Sequence, residues 1–131
     1  MRLQLTAVRR VLGRSQGGSA EKLINDGGVI SVQVLNEVTN VARRKMRLTW
    51  AEIRAMLATF RELLPVRPIA VDIHDAGGAL AERYGLSVCD AMIAASALDA
   101  ECDTLRSEDM QDGMLLDGRM RIVDPFGVGQ E

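Results

Sequence analysis

Apolar positions along the chain alternate between short β-branched runs and stripes at helical spacing. Val34, Leu35, Val38, Val41 and Ala42 recur at intervals that place them on one helical face. Arg43-Arg44-Lys45 suit the C-terminal end of that helix, where the backbone dipole favours cations. Thr49-Trp50-Ala51-Glu52 has the form of a capping box, and Ile53, Met56, Leu57, Phe60 and Leu64 follow as one stripe. Asp72 is expected to cap the next helix, with Ile73, Ala76, Leu80, Ala81 and Tyr84 inward and Gly85 as its stop. Ser87-Val88-Cys89-Asp90 reads as a second capping box, opening the most apolar run, residues 91–98. Upstream, Ser19 is placed to cap a short helix over residues 20–25, which Gly27-Gly28 terminates.

Between these helices lie four runs that read as strands. They are Val29-Ile30-Ser31, then Ile69-Ala70-Val71 after the Pro65 to Pro68 turn, Thr104-Leu105-Arg106, and Arg121-Ile122-Val123. Alternation of this kind predicts an α/β protein. Right-handed crossovers then give a three-layer α/β/α sandwich with a central, mainly parallel sheet.

The chain has 131 residues, 47% of them apolar, which suits one domain with a real core. Residues 1–18 form an atypical leading segment, 19–126 the domain, and 127–131 a flexible tail. Residues 1–20 carry Arg2, Arg9, Arg10 and Arg14 and no acid. Such a start resembles an organellar transit peptide, but a basic surface segment is the expected reading. A net charge of -2 gives no blanket attraction to nucleic acid, so any RNA contact must come from a local patch. No apolar run approaches the ~20 residues needed to cross a bilayer. Two cysteines, Cys89 and Cys102, are too few for a disulfide scaffold and read as small core residues. A cytoplasmic protein is expected. His74 is the sole histidine, which excludes a histidine-based triad or multi-histidine zinc site within one chain.

In an open parallel sheet, ligands bind beyond the carboxyl ends of the strands. Glu37, Asp90 and Asp109 are all expected there, with Asp112 close behind. Each has an ordinary reading alone: Asp90 as a capping acid, Glu37 as a partner for Arg44, Asp109 and Asp112 as loop acids. Jointly, carboxylates gathered against apolar surface favour a divalent cation.

These residues also carry a family resemblance. Residues 29–37, ending in Asn36-Glu37, resemble the second acidic motif of PIN domains. Residues 85–98, around Asp90, are similar to the third, and residues 102–113, around Ser107-Glu108-Asp109, to the fourth. Ile122-Val123-Asp124-Pro125-Phe126 matches the usual closing strand. The resemblance covers about residues 19–126. It implies a magnesium- or manganese-dependent endoribonuclease that cleaves RNA, the VapC-type toxin of a toxin–antitoxin pair, with a cognate antitoxin protein and a homodimeric state. Under it, Glu37, Asp90 and Asp109 are catalytic metal ligands, Asp112 is an accessory metal-binding acid, and Ser107 supports them by hydrogen bonds. Arg43, Arg44 and Arg106 become candidate contacts for the RNA backbone, against the ordinary reading of a solvated helix end.

The first acidic motif of that family, a strand ending in Asp-Thr-Asn or Asp-Ser-Asn, has no counterpart. The best placement puts Leu5 where the aspartate belongs and Ala7 where the asparagine belongs. Either the recorded start departs from the natural one, or this is a degenerate PIN domain that dimerises and binds an antitoxin without cutting. Weak or absent cleavage is the expectation for these residues. A phosphoacceptor receiver ranks last, because neither Lys22 nor Lys45 is placed to partner an acceptor aspartate. Trp50, in its capping turn, reads as a packing anchor rather than a stacking platform.

Overall fold

A computed structural model describes the backbone of residues 4–6 and, in full, residues 28–107 and 110–123. In chain order these form β1 (Gln4–Thr6), β2 (Ile30–Ser31), α1 (Val32–Arg44), α2 (Trp50–Leu63), β3 (Val66–Arg67), α3 (Val71–Tyr84), α4 (Val88–Asp99), β4 (Thr104–Arg106), β5 (Leu115–Leu116) and β6 (Met120–Val123). The short helix expected over residues 20–25 and the tail at 127–131 lie outside the described residues.

Strand order is β1-β4-β6-β5 in one sheet and β2-β3 in a second. β1 lies against β2, so the two sheets adjoin. Pairing is parallel for β1 with β4, β4 with β6, and β2 with β3, and antiparallel only for β5 with β6. The α/β sandwich and its mainly parallel sheet are as the pattern predicts. Residues 91–98 explain the centre of the molecule: a helix with no polar face must be covered all round. Each of these eight side chains is buried, and α4 packs on α3, α1, β2 and β1.

Two strand and cap assignments need correction. The strand after Pro65 is Val66–Arg67, in register with Ile30 and Ser31, not Ile69-Ala70-Val71. Pro68 has no N–H to donate, so the ladder stops before it, and Val71 instead opens α3, 78% exposed. The cap of α3 is Ala70, which makes no side-chain cap bond. Asp72 sits inside the first turn, where its Oδ1 accepts from the Ile73 N–H at 3.0 Å.

The antiparallel edge strand β5 was not foreseen. Its turn into β6 runs through Asp117 and Gly118, both at left-handed φ (51° and 66°), closed by Arg119 N–H to Leu116 O at 3.0 Å. Asp-Gly is the sequence signal for such a hairpin. The tip is pinned to the end of α3: the Asp117 N–H donates to Tyr84 Oη at 2.8 Å, and Tyr84 donates to Asp117 Oδ1 at 3.2 Å.

Candidate metal centre

β2 runs directly into α1, and the hinge between them is Ser31. This residue is fully buried, and its Oγ accepts from the Val34 N–H at 3.4 Å, capping the helix. With the start of α1 fixed, Glu37 arrives beside Val34, Val38 and Val41 on the buried face and is itself only 7% exposed. A carboxylate at that depth needs compensation, and Glu37 is engaged in a polar interaction.

Asp90 comes from a different part of the chain. Ser87 caps α4 by accepting from the Asp90 N–H at 3.1 Å, which places Asp90 in the first turn, where the helix dipole favours an anion. The two acids meet in a pocket of about 360 Å³, lined by Gln33, Glu37, Asn40, Val41, Ser87, Cys89 and Asp90. Its polar groups are predominantly oxygen donors: two carboxylates, two carboxamides and a hydroxyl. That set fits a hard divalent cation such as magnesium or manganese better than a soft one.

Asp109 lies outside the described residues. Asp112 is exposed in the turn before β5 and does not line this pocket. Among the described residues, no three histidine, cysteine, aspartate or glutamate side chains cluster closely enough to hold a metal. Glu37 and Asp90 are thus the two described carboxylates of this pocket, and one or two carboxylates completed by water or phosphate oxygens suffice for magnesium.

Ser107 follows β4 and is fully buried, and its N–H donates to Val123 O at 3.0 Å, extending the β4–β6 ladder by one bond. Arg106 is half-buried at the end of β4, level with Thr6 and Val123. The two arginines closing α1 differ. Arg43 is committed within the fold: its Nη1 donates to Leu48 O at 3.1 Å and its guanidinium covers Trp50. Arg44 is exposed.

Two residues depart from expectation. Trp50 is 51% exposed rather than packed into the core. Cys89 is exposed on the pocket rim, because the second position of a helix opened at the surface faces out, whereas Cys102 is buried as expected. The carboxamides of Gln33 and Asn40 were overlooked, although their spacing to Glu37, four residues before and three after, puts all three on one helical face.

The PIN domain family model matches residues 7–111. The chain belongs to the PIN domain family. No curated protein matches it in sequence. Among solved structures, this PIN domain is similar to a toxin–antitoxin complex from Klebsiella pneumoniae, at 19% identity over 98% of this chain and 100% of that one, with a TM-score of 0.69. It is also similar to DNA-bound VapBC from Salmonella typhimurium (17% identity, 95% and 98% covered, TM-score 0.70). A third is VapBC2 from Rickettsia felis bound to a promoter DNA fragment (20% identity, 85% and 90% covered, TM-score 0.61). At these identities the likeness is one of fold. No helix among the described residues is long and apolar enough to cross a membrane.

Proposed function

We propose that this PIN domain is the toxin of a toxin–antitoxin pair, a metal-dependent endoribonuclease acting on RNA phosphodiesters at the Glu37–Asp90 pocket. The observation that carries the reading is the meeting of these two acids, from separate helices, in one oxygen-rich pocket of a PIN fold. The toxin–antitoxin complexes among its structural neighbours support an antitoxin as partner, and a homodimeric working state is part of the proposal.

Glu37, Asp90 and Asp109 are the residues that would hold magnesium or manganese, with Asp112 accessory and Ser107 steadying the end of β4. Such an ion, when bound, supplies an activated water and neutralises charge on the attacked phosphate. The chain itself contributes placement. The Ser31 cap sets where Glu37 emerges along α1, and the Ser87 cap sets where Asp90 emerges from α4. Two carboxylates sharing one oxygen-rich pocket attract a hard cation.

A second reading, a PIN domain that binds its antitoxin without cutting, is favoured by β1. This strand pairs with β4 and adjoins β2, yet Gln4, Leu5 and Thr6 include no carboxylate. Fewer carboxylates hold a divalent ion less well, so cleavage by this chain is expected to be weak or absent.

The deciding experiment is cleavage of a mixed RNA pool by this chain with manganese, beside an Asp90→Asn variant and an EDTA control. Cleavage lost in both controls supports the nuclease. A folded protein that does not cut, yet binds a basic antitoxin peptide through Glu37 and Asp90, supports the second reading.

A further inference from the structure

The pocket holds two side chains that a metal site does not require. Gln33 and Asn40 both line it, Gln33 half-buried and Asn40 exposed at its mouth. Along α1 they bracket Glu37, one turn to either side, and all three fall within a narrow arc of the helix. Arg44, one turn beyond Asn40, falls in the same arc. From Gln33 to Arg44 the face extends for about 16 Å at an α-helical rise of ~1.5 Å per residue.

A neutral carboxamide adds nothing to the charge that attracts a cation, but it offers a donor and an acceptor side by side. That pairing reads the edge of a base, adenine above all, or a ribose 2′-hydroxyl. An exposed polar helix face is ordinarily just solvated. Here, however, the two amides share a concave pocket with the acids rather than an open surface. Of the cations at this end of α1, Arg43 is occupied by Leu48 O and Trp50, and Lys45, the cap residue, lies outside the arc, which leaves Arg44 to meet a phosphate on this face.

We propose that Gln33 and Asn40 are specificity-determining residues that contact the nucleotides on either side of the scissile phosphate of single-stranded RNA, with the strand continuing along α1 past Arg44. This rests on the ribonuclease reading above and adds which nucleotides are read and by which side chains.

The test separates binding from cutting. The full chain carrying Asp90→Asn, which keeps RNA intact, is mixed with a randomised single-stranded RNA pool, and bound sequences are recovered and read. The same is done with Asn40→Ala or Gln33→Ala added, and with Arg54→Ala, on the exposed surface of α2, as control. Manganese titration of the Asn40→Ala and Gln33→Ala single variants checks that the metal site is intact. The expected result is a base preference that disappears at one position in each amide variant, a preferred RNA bound roughly 5- to 100-fold more weakly, and manganese affinity unchanged. Unaltered preference and affinity in both amide variants would overturn the assignment while leaving the nuclease reading in place. A parent chain that binds no RNA removes both. A drop in manganese affinity that matches the loss of RNA also overturns it, because the amides would then serve the metal.

Discussion

Arg43 holds its guanidinium 5.0 Å from the centroid of the Trp50 ring, joining the last turn of α1 to the first residue of α2. The same side chain donates to Leu48 O, in the loop between them. An exposed cation–π pair contributes about 0.5–1 kcal/mol. A double-mutant cycle of Arg43→Ala and Trp50→Ala, followed by urea unfolding, should therefore give a coupling of that size. Zero coupling would mean the ring is available as an RNA stacking surface instead.

Thr49 and Glu52 close the capping box of α2 in both directions, with Thr49 N–H to Glu52 Oε1 at 2.8 Å and Glu52 N–H to Thr49 Oγ1 at 3.1 Å. These bonds hold the Glu52 carboxyl below its ordinary 4.5. A lowered folded-state value stabilises above pH 4.5, and the contribution fades as pH falls through the folded value. Thr49→Ala should lower stability near neutral pH by about 1 kcal/mol. Thr49→Ala keeps the backbone N–H that bonds the carboxylate, so Glu52→Gln is the variant whose gap to the parent should narrow as pH falls below 4.5, measured by urea midpoints across pH.

Cys102 behaves in the opposite sense. Burial, with Asp103 adding to it, pushes its thiol from 9.0 up to about 11. The fold favours the neutral thiol, so this contribution is complete below pH 9 and is lost as pH rises through 11. Its ceiling is roughly 3 kcal/mol. Cys102→Ala should flatten the alkaline fall in stability between those values. A disulfide exchange reagent at pH 8 should label Cys89, which is exposed, quickly, and Cys102 only after unfolding.

Glu37→Gln and Asp90→Asn should each weaken manganese binding by about tenfold or more, because affinity follows carboxylate charge and count. Calorimetric titration of the folded variants checks this. Asp112→Asn, at a residue outside the pocket, should change affinity less than either. Equal loss in all three would place Asp112 among the direct ligands.

Much of this site is legible in the sequence. Helical spacing put Glu37 beside a buried stripe, and the Ser87 cap put Asp90 in a first turn, so both acids followed from local rules. The pocket's amides did not, because polar residues on a helix read as solvated until a second helix closes over them. β3 was misplaced for a related reason. Ile69 and Val71 look more like strand residues than Val66 and Arg67, but the parallel partner β2 and the missing Pro68 donor decide the pairing. Both are relations between distant segments. The Asp117-Gly118 turn, by contrast, is a local signal, and it alone marks β5.

The most informative substitution lies in β1. Its carboxyl end, Thr6, is level with Arg106 of β4, itself level with Val123 of β6, while β1 also adjoins β2, from which α1 and Glu37 emerge. An acid at that end would join the edge where the other carboxylates are expected. Thr6→Asp should therefore raise manganese affinity about tenfold or more and produce cleavage that EDTA abolishes. Leu5→Asp should behave differently, since Leu5 is level with the fully buried Leu105, and a charge introduced in the middle of the sheet is costly. Its melting temperature should fall by several degrees, with little gain in cleavage. Gain from Leu5→Asp and none from Thr6→Asp would show that the metal-facing position of this strand lies one residue earlier than the register implies.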